Sequence, residues 1–562
     1  MKALSKAGTA AAILAAGAIV FSPLLAALFG TGLGADGLTS SLHYVGGPLG
    51  GSVISALISA LVALALGGPF ALLVERARTG LRRTFWALGI LVLMVPPYIA
   101  AEGWIVLLGP AGKISKPLAM LLGFGPHTTD AVEMARFVAP GFVYSRVGVG
   151  LVMGGCLFPI VALAVASALR RTDRRIFESA RLAQGMRGVR RVLARILLLP
   201  ALGAALLVFA VTLTEFAVPQ VLRVRTVGEA VYERIQEGDL GTAAALCLPL
   251  LPIVVAAGAL GAFVLLRART ASLAGLEGEI PKFTARPAGR MGDLRAGTMT
   301  LIALVPGMII PLTSLIWLTA KAKLPQSSAI GTHKVLRASG FLNSLSGAWD
   351  LAHNDAVRTV LLAGLAASLA TVFSILLAQL ASRNGWGAWL GVLGAGLAVP
   401  APIIGLGLIT LWDHNWSAAI YQSLTVVLLA WFARFLPLAI FLVQGALARV
   451  PRELESAAAL AGRGPLGRFA AVVIPNAAPG LAAAWLATYV LSATEFSATL
   501  LIAPPGSPLL APSVVNLMRR GQDPEIAACQ FLLLAVIALP LVAIACGGIV
   551  RARFWMSRKE PA

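Results

Sequence analysis

The chain has 562 residues, 58% of them apolar and only 12% charged, yet its formal net charge is +21. The charged share is about half that of a typical soluble protein, so the three or four soluble domains that the length alone suggests are excluded. The strong positive charge invites a nucleic-acid surface, and its placement along the chain excludes that as well.

Apolar blocks long enough to cross roughly 30 Å of hydrocarbon as helices lie in the first half near 8–30, 50–74, 84–109, 138–169, 196–215 and 240–266. The second half has them near 297–320, 356–381, 387–411, 420–447, 471–494 and 526–550. The prediction is an all-α integral membrane protein of about 12 transmembrane helices. The first block follows Lys2 and Lys6 in the manner of a signal peptide. It outruns the usual 7–15-residue apolar core of such peptides, so it is expected to stay as the first span.

With the N-terminus in the cytoplasm, 30 of the 45 Lys and Arg residues fall on the cytoplasmic side. They occupy the N-terminal tail, 76–83, 170–195, 267–295, 383, 449–468 and 551–559. The other 15 are matched by 15 carboxylates, and 9 carboxylates remain inside, so the whole excess is cytoplasmic. This is the positive-inside bias of a membrane protein, and it puts both termini in the cytoplasm. Cys156, Cys247, Cys529 and Cys546 are isolated, without the spacing of a zinc site or a disulfide framework. They read as small packing residues. The histidines at 43, 127, 333, 353 and 414 fall in expected external segments, no two at ligand spacing, so no metal site is expected.

The chain is a diverged duplication. Glu178-Ser179-Ala180, Gly185 and Leu199-Pro200 recur as Glu455-Ser456-Ala457, Gly462 and Ile474-Pro475, with the Glu-to-Gly spacing seven in both copies. Thr214-Glu215-Phe216 recurs as Thr494-Glu495-Phe496, 280 residues on. Val95-Pro96-Pro97 parallels Val399-Pro400-Ala401-Pro402, and Pro159 and Pro437 precede their Glu residues by 19 and 18 positions. Six spans per half put both copies of each loop on one side of the membrane, which makes a parallel repeat. The expected division is a first lobe at 1–269, a Gly-, Pro- and charge-rich cytoplasmic linker at 270–296, and a second lobe at 297–562.

The loops after the fourth span of each half, 173–195 and 451–470, are built for helix. Residues 173–184 and 452–461 are rich in Ala, Leu, Arg and Glu, a glycine then interrupts each run, and a basic helical stretch follows at 186–197 and 466–473. The spaced Glu-Ser-Ala, Gly and Leu-Pro or Ile-Pro resemble the "EAA" loop of permease subunits in binding-protein-dependent ABC importers. Two such loops in one chain resemble the fused permeases of the iron(III) importer group and, less closely, those of thiamine importers. Ser179 and Ser456 stand where that family usually has an acidic residue, with Glu one position earlier. The first copy also has Arg181 where the second has Ala458, and its Gly-to-Pro interval is 15 residues against 13.

The resemblance implies a type I ABC importer fold in which Glu178, Ser179, Ala180, Gly185, Glu455, Ser456, Ala457 and Gly462 couple the chain to its ATPase. The implied partners are a cytoplasmic ABC ATPase homodimer, an extracytoplasmic substrate-binding protein and the bilayer of the bacterial inner membrane, with no nucleic acid. The chain lacks G-x-x-x-x-G-K-[ST], since Gly109-Pro110-Ala111-Gly112-Lys113 is too short. No catalytic residue or cofactor is therefore expected on it; ATP and Mg belong to the partner.

Ionisable residues inside spans are costly and default to functional candidates. Glu215, Glu495, Thr214, Thr494 and Arg434 are the pathway candidates, with Glu102 in the third span. A duplicated Thr-Glu-Phe suits a cationic or metal-bearing cargo at an external mouth, and it equally suits a span end anchored by pairing with Arg. Arg434 reads as a partner for a carboxylate or for backbone carbonyls. Pro96, Pro97, Pro400 and Pro402 can kink or gate the third span of each half. The resemblance favours iron(III) as substrate, with thiamine, a polyamine or a phosphonate as alternatives. An ion-coupled secondary transporter of two six-helix halves remains the competing class, and it does not account for the duplicated loop. A membrane-embedded enzyme would need converging catalytic side chains that the repeats lack.

Overall fold

The computed structural model describes residues 2–30, 35–109, 114, 141–273, 289–320, 338–384, 396, 399–521 and 523–557. Helix is the only regular structure among them. Ten of these helices are long and apolar enough to cross a membrane: Gly8–Phe29, Val45–Val74, Arg146–Arg171, Arg175–Leu213, Leu240–Leu265, Gly289–Thr319, Gly340–Leu380, Thr425–Leu447, Pro465–Ala493 and Pro524–Ile544. The third span is a bent pair, Thr79–Met94 and Pro97–Leu108, meeting at 91°. Of the ninth, the described part is the short apolar helix Ala401–Trp412. Several helices outrun their apolar blocks, because a helix needs no apolar side chains to continue into water. The sixth-span helix runs to Leu273 and the seventh starts at Gly289, so both enter the range expected as linker. Residues 274–288 lie outside the described residues, as do His127 and His333.

Proline chemistry explains the bend. Pro96 and Pro97 supply no N–H to the turn before them, and a proline biases the preceding residue away from helix. Val95 is accordingly extended (ψ 114°), and Pro96 and Pro97 stand at the cap and first position of the new helix, where a missing N–H costs nothing. Pro400 caps Ala401–Trp412 in the same way, with Pro402 in its first turn. Even the local hydrogen bonds repeat: Ile99 and Ala100 N–H donate to the Pro96 carbonyl, and Ile403 and Ile404 N–H to that of Pro400. Two π-turns, Val305–Ile309 and Phe469–Val473, precede Pro311 and Pro475 and absorb the carbonyl four residues upstream that each ring displaces.

The compact units do not follow the two halves of the sequence. One consists of residues 34–341 with 522–524; the other combines 1–33 with 342–521 and 525–562. Each half's first span therefore packs with the other half's remaining spans. In the unit of 34–341, spans two and four cross closely at Gly150 and Gly154, where a Cβ would meet Ile58 at 2.6 Å and the Ser59 carbonyl oxygen at 2.6 Å. This is the small-xxx-small contact that lets membrane helices approach. Phe70, Trp86, Phe158 and Val161 form its core together with Ala303 and Leu304 of the seventh span. That span also receives the Trp104 Nε1–H on the Pro306 carbonyl (3.1 Å), and Pro311 rests on Gly103.

In the other unit the first span takes the corresponding place. Its Pro23 carbonyl is pressed against Gly407 of the ninth span, and Ile13, Ala16 and Val20 pack with Ala370, Leu436 and Ile440. Expressing the chain as two pieces, 1–278 and 279–562, is therefore expected to yield fragments that copurify in mild detergent. Each fragment carries a span whose packing surface lies on the other. Separate elution of the two would contradict this exchange.

Candidate functional site

The two cytoplasmic-loop candidates form a pair of helix–glycine–helix turns. In the first, Asp173 caps the helix that begins at Arg174 by accepting the Arg175 N–H (2.8 Å). The helix runs until Gln184 and Gly185 break it, Gly185 having φ 58° and ψ −145°. A second helix then continues without interruption into the fifth span. Glu178 and Ser179 are exposed, Ala180 is half-buried, and Ser179 Oγ donates to the Ile176 carbonyl.

The second loop ends its first helix, Arg452–Leu460, in a different way. The Arg463 N–H donates to the Ala458 carbonyl and the Gly462 N–H to that of Ala459, with Gly462 at φ 78°. That pair of bonds is a Schellman motif. Glu455 is half-buried, while Ser456 and Ala457 are exposed. Both turns present apolar side chains to solvent: Leu182 is 89% exposed and Leu460 92%. A Cβ on either Gly185 or Gly462 would meet nothing within 4 Å, so these glycines serve backbone geometry rather than packing.

The duplicated Thr-Glu-Phe ends the fifth and eleventh spans. Thr214 and Thr494 are the helix C-caps, and their hydroxyls donate back to the carbonyls of Val211 (3.0 Å) and Val490 (2.9 Å). The carboxylates that follow cap the next short helices. Glu215 accepts the Ala217 N–H at the start of Ala217–Val221, and Glu495 accepts those of Ala498 (2.9 Å) and Thr499 (2.8 Å) in Ser497–Ile502.

There the likeness stops. Glu495 is buried and forms an ion pair with Arg434 at 2.6 Å; its other oxygen also accepts the Thr499 hydroxyl. Trp431 Nε1–H in turn donates to Thr499 Oγ1 (2.9 Å). Arg434 stands three residues before Pro437, and the residue three before Pro159 is Cys156. The Cys156 thiol lies in the electrostatic neighbourhood of half-buried Glu215.

Reasoning from sequence alone missed a second duplicated device. Beyond these short helices, the Val227 N–H donates to Ser52 Oγ (3.0 Å) and the Leu510 N–H to Thr359 Oγ1 (2.9 Å). Both donors open a helix, and both hydroxyls come from the second span of their half. The only trace of it in the sequence is one hydroxyl residue in each second span, which has many equals. Glu102 is buried in the third span. His353 Nδ1 lies 3.0 Å from the Trp349 carbonyl oxygen, and His414 stacks on Trp416. Among the described residues no three His, Cys, Asp or Glu side chains group as metal ligands. Cys156, Cys247 and Cys529 are buried thiols.

A duplicated bundle of spans with half-helices starting inside apolar segments is the architecture of a membrane transporter subunit. The family described as "Binding-protein-dependent transport system inner membrane component" matches residues 370–554. A Salmonella typhimurium protein bearing the name of a 2-aminoethylphosphonate transport system permease, PhnV, is 30% identical over 205 residues, which are 35% of this chain and 75% of that one. FbpB 2 of Haemophilus influenzae, named an Fe(3+)-transport system permease, is 25% identical over 350 residues, covering 61% of this chain and 65% of its own. PotI of Escherichia coli, named a putrescine transport system permease, is 26% identical over 177 residues, or 31% of this chain and 63% of its own. The chain belongs to the inner-membrane permease family of binding-protein-dependent, ABC-type transport systems. It is a multi-pass integral membrane protein of that family.

Proposed function

We propose that this chain supplies both halves of the substrate path of an ATP-driven importer, and that its loops at 173–195 and 451–470 dock a cytoplasmic ATPase dimer. The observation that carries this reading is the pair of glycine-turned helices, each presenting exposed leucine and continuing into a span. Glu178, Ser179, Ala180 and Gly185 in one loop, and Glu455, Ser456, Ala457 and Gly462 in the other, make the contact. The half-helix starts at Pro96–Pro97 and Pro400–Pro402 are the hinges of the path. Thr214-Glu215 and Thr494-Glu495, with Arg434, shape its span ends. Both termini lie in the cytoplasm, ATP and Mg sit on the ATPase, and a binding protein delivers the cargo from outside.

Iron(III) is the favoured cargo. The relative named for Fe(3+) transport aligns across 61% of this chain and so reaches into both halves, whereas those named for aminoethylphosphonate and putrescine align with 35% and 31%. The test measures accumulation of radiolabelled iron(III), 2-aminoethylphosphonate and putrescine in cells with and without the gene, and asks whether an ATPase copurifies with the tagged chain. Loss of iron uptake alone supports the assignment. Loss of phosphonate or putrescine uptake reassigns the cargo, and a chain that purifies without any ATPase overturns the docking reading.

A further inference from the structure

Three spans converge on one carboxylate oxygen beside the first docking loop. Glu75, just past the end of the second span, has a side chain 3% exposed. Its Oε1 accepts the Nε1–H of Trp86 in the third span (2.8 Å) and two donors of Arg170 at the end of the fourth, Nη2 at 2.6 Å and Nε at 3.1 Å. The Arg170 guanidinium also lies over the Trp86 ring, 5.6 Å from its centroid. Trp86 stands edge-on to Phe70 of the second span (5.3 Å), and Phe70 packs edge-on to Phe158 of the fourth (5.4 Å). The joint is thus continuous with the aromatic core of its unit.

Its distance from the loop is what gives it a function. Only Thr172 and Asp173 separate the fourth-span helix from the loop helix, and both are tied: Thr172 Oγ1 donates to the Ala168 carbonyl and Asp173 caps the next helix. No slack lies between Arg170 and that cap. A second staple extends the joint, since Asp293 near the start of the seventh-span helix accepts the Arg78 backbone N–H (2.9 Å) and pairs with its Nε (3.0 Å). Burying a carboxylate is costly, and apolar packing holds helix ends together at least as well. Charge-assisted donors from two spans meeting on one oxygen of a third differ in fixing direction as well as distance.

We propose that Glu75 is a positioning residue that makes the second and third spans move as one body with the first docking loop. ATPase closure then drives the broken third span directly and not only the fourth and fifth spans that flank the loop in sequence. This inference rests on the docking reading above, and the test separates the two.

The full chain is purified with its ATPase in nanodiscs, its native cysteines replaced, with spin labels at exposed Arg175 at the start of the loop helix and exposed Arg83 in the third span. Distances are measured without nucleotide and in an ATP-trapped state. In the parent protein the distance is expected to stay the same in both states. In Glu75→Gln it is expected to differ between them by several ångströms, with transport per ATP hydrolysed lowered at least about fivefold, the lower end of coupling between sites. Trp86→Phe, which removes one donor and keeps the packing, gives a smaller shift of the same kind. The exchange Glu75→Arg with Arg170→Glu restores the fixed distance, which a loss of fold in Glu75→Gln alone would not allow. A distance that already changes in the parent, or stays fixed in Glu75→Gln, overturns the proposal while leaving docking intact. Absence of the ATPase from the parent complex instead defeats docking itself.

Discussion

Gly462→Asp is expected to leave the chain in the membrane at ordinary abundance and to abolish ATP-driven uptake. The site is open, with nothing within 4 Å of a new Cβ, so no packing is lost. What changes is the turn. The residue sits at φ 78°, where an L side chain costs roughly 1–2 kcal/mol, and a carboxylate at the C-terminal end of Arg452–Leu460 opposes the helix dipole. The helix then frays or leaves at another angle, and Leu460 no longer points where the partner needs it. Deleting 452–461 is expected to have the same effect. Gly462→Asn separates backbone from charge: Asn enters the left-handed region readily, so uptake should largely survive.

Gly185 makes a sharper contrast. Its φ of 58° with ψ −145° combines a positive φ with an extended ψ, a region essentially reserved for glycine. Gly185→Asn should therefore fail where Gly462→Asn succeeds. Uptake and ATPase copurification, read beside membrane abundance, check the whole series. Normal uptake by the 452–461 deletion would remove the docking assignment.

Arg434→Met is expected to destabilise the protein by about 3–5 kcal/mol, the usual cost of stranding one partner of a buried ion pair. Glu495 would be left buried, with only the Ala498 and Thr499 donors around its charge. The double variant Arg434→Met with Glu495→Gln should recover part of the loss, because it removes the stranded charge, so the two effects will not add. Thermal aggregation midpoints in detergent read the difference. A double variant as unstable as the sum of its singles would show that the two side chains act separately. Cys156→Ser, at the matching place in the first half, should cost far less, because a buried neutral thiol gives way to a neutral hydroxyl of similar size.

Hydropathy made the positions of the spans legible, because burial in lipid demands the same apolar run whatever the neighbours are, but not their ends: the helix expected over 356–381 runs from Gly340 to Leu380. The break at Val95-Pro96 was legible too, since proline acts through its own ring on its own chain. Pairings were not. Arg434 and Glu495 both stood out, but 61 positions separate them, and nothing in either neighbourhood names the other. Glu75 carries no mark in the sequence, because its depth depends on Trp86 and on Arg170, 95 residues away. The exchange of first spans left no mark at all. An apolar helix shows how much it must bury, but not against which half.

That exchange has a consequence for how the protein is made. The first span, ending at Phe29, leaves the ribosome long before its packing partners, which begin at residue 342. At the usual pace of about 5–20 residues per second, the wait is roughly 15 to 60 s. During that interval the helix must be held by lipid or by the insertion machinery, while spans two to six assemble around a gap that only the seventh can fill. Each half is thus born unfinished, and a chain that stops short of residue 342 leaves an orphan helix for membrane quality control to find.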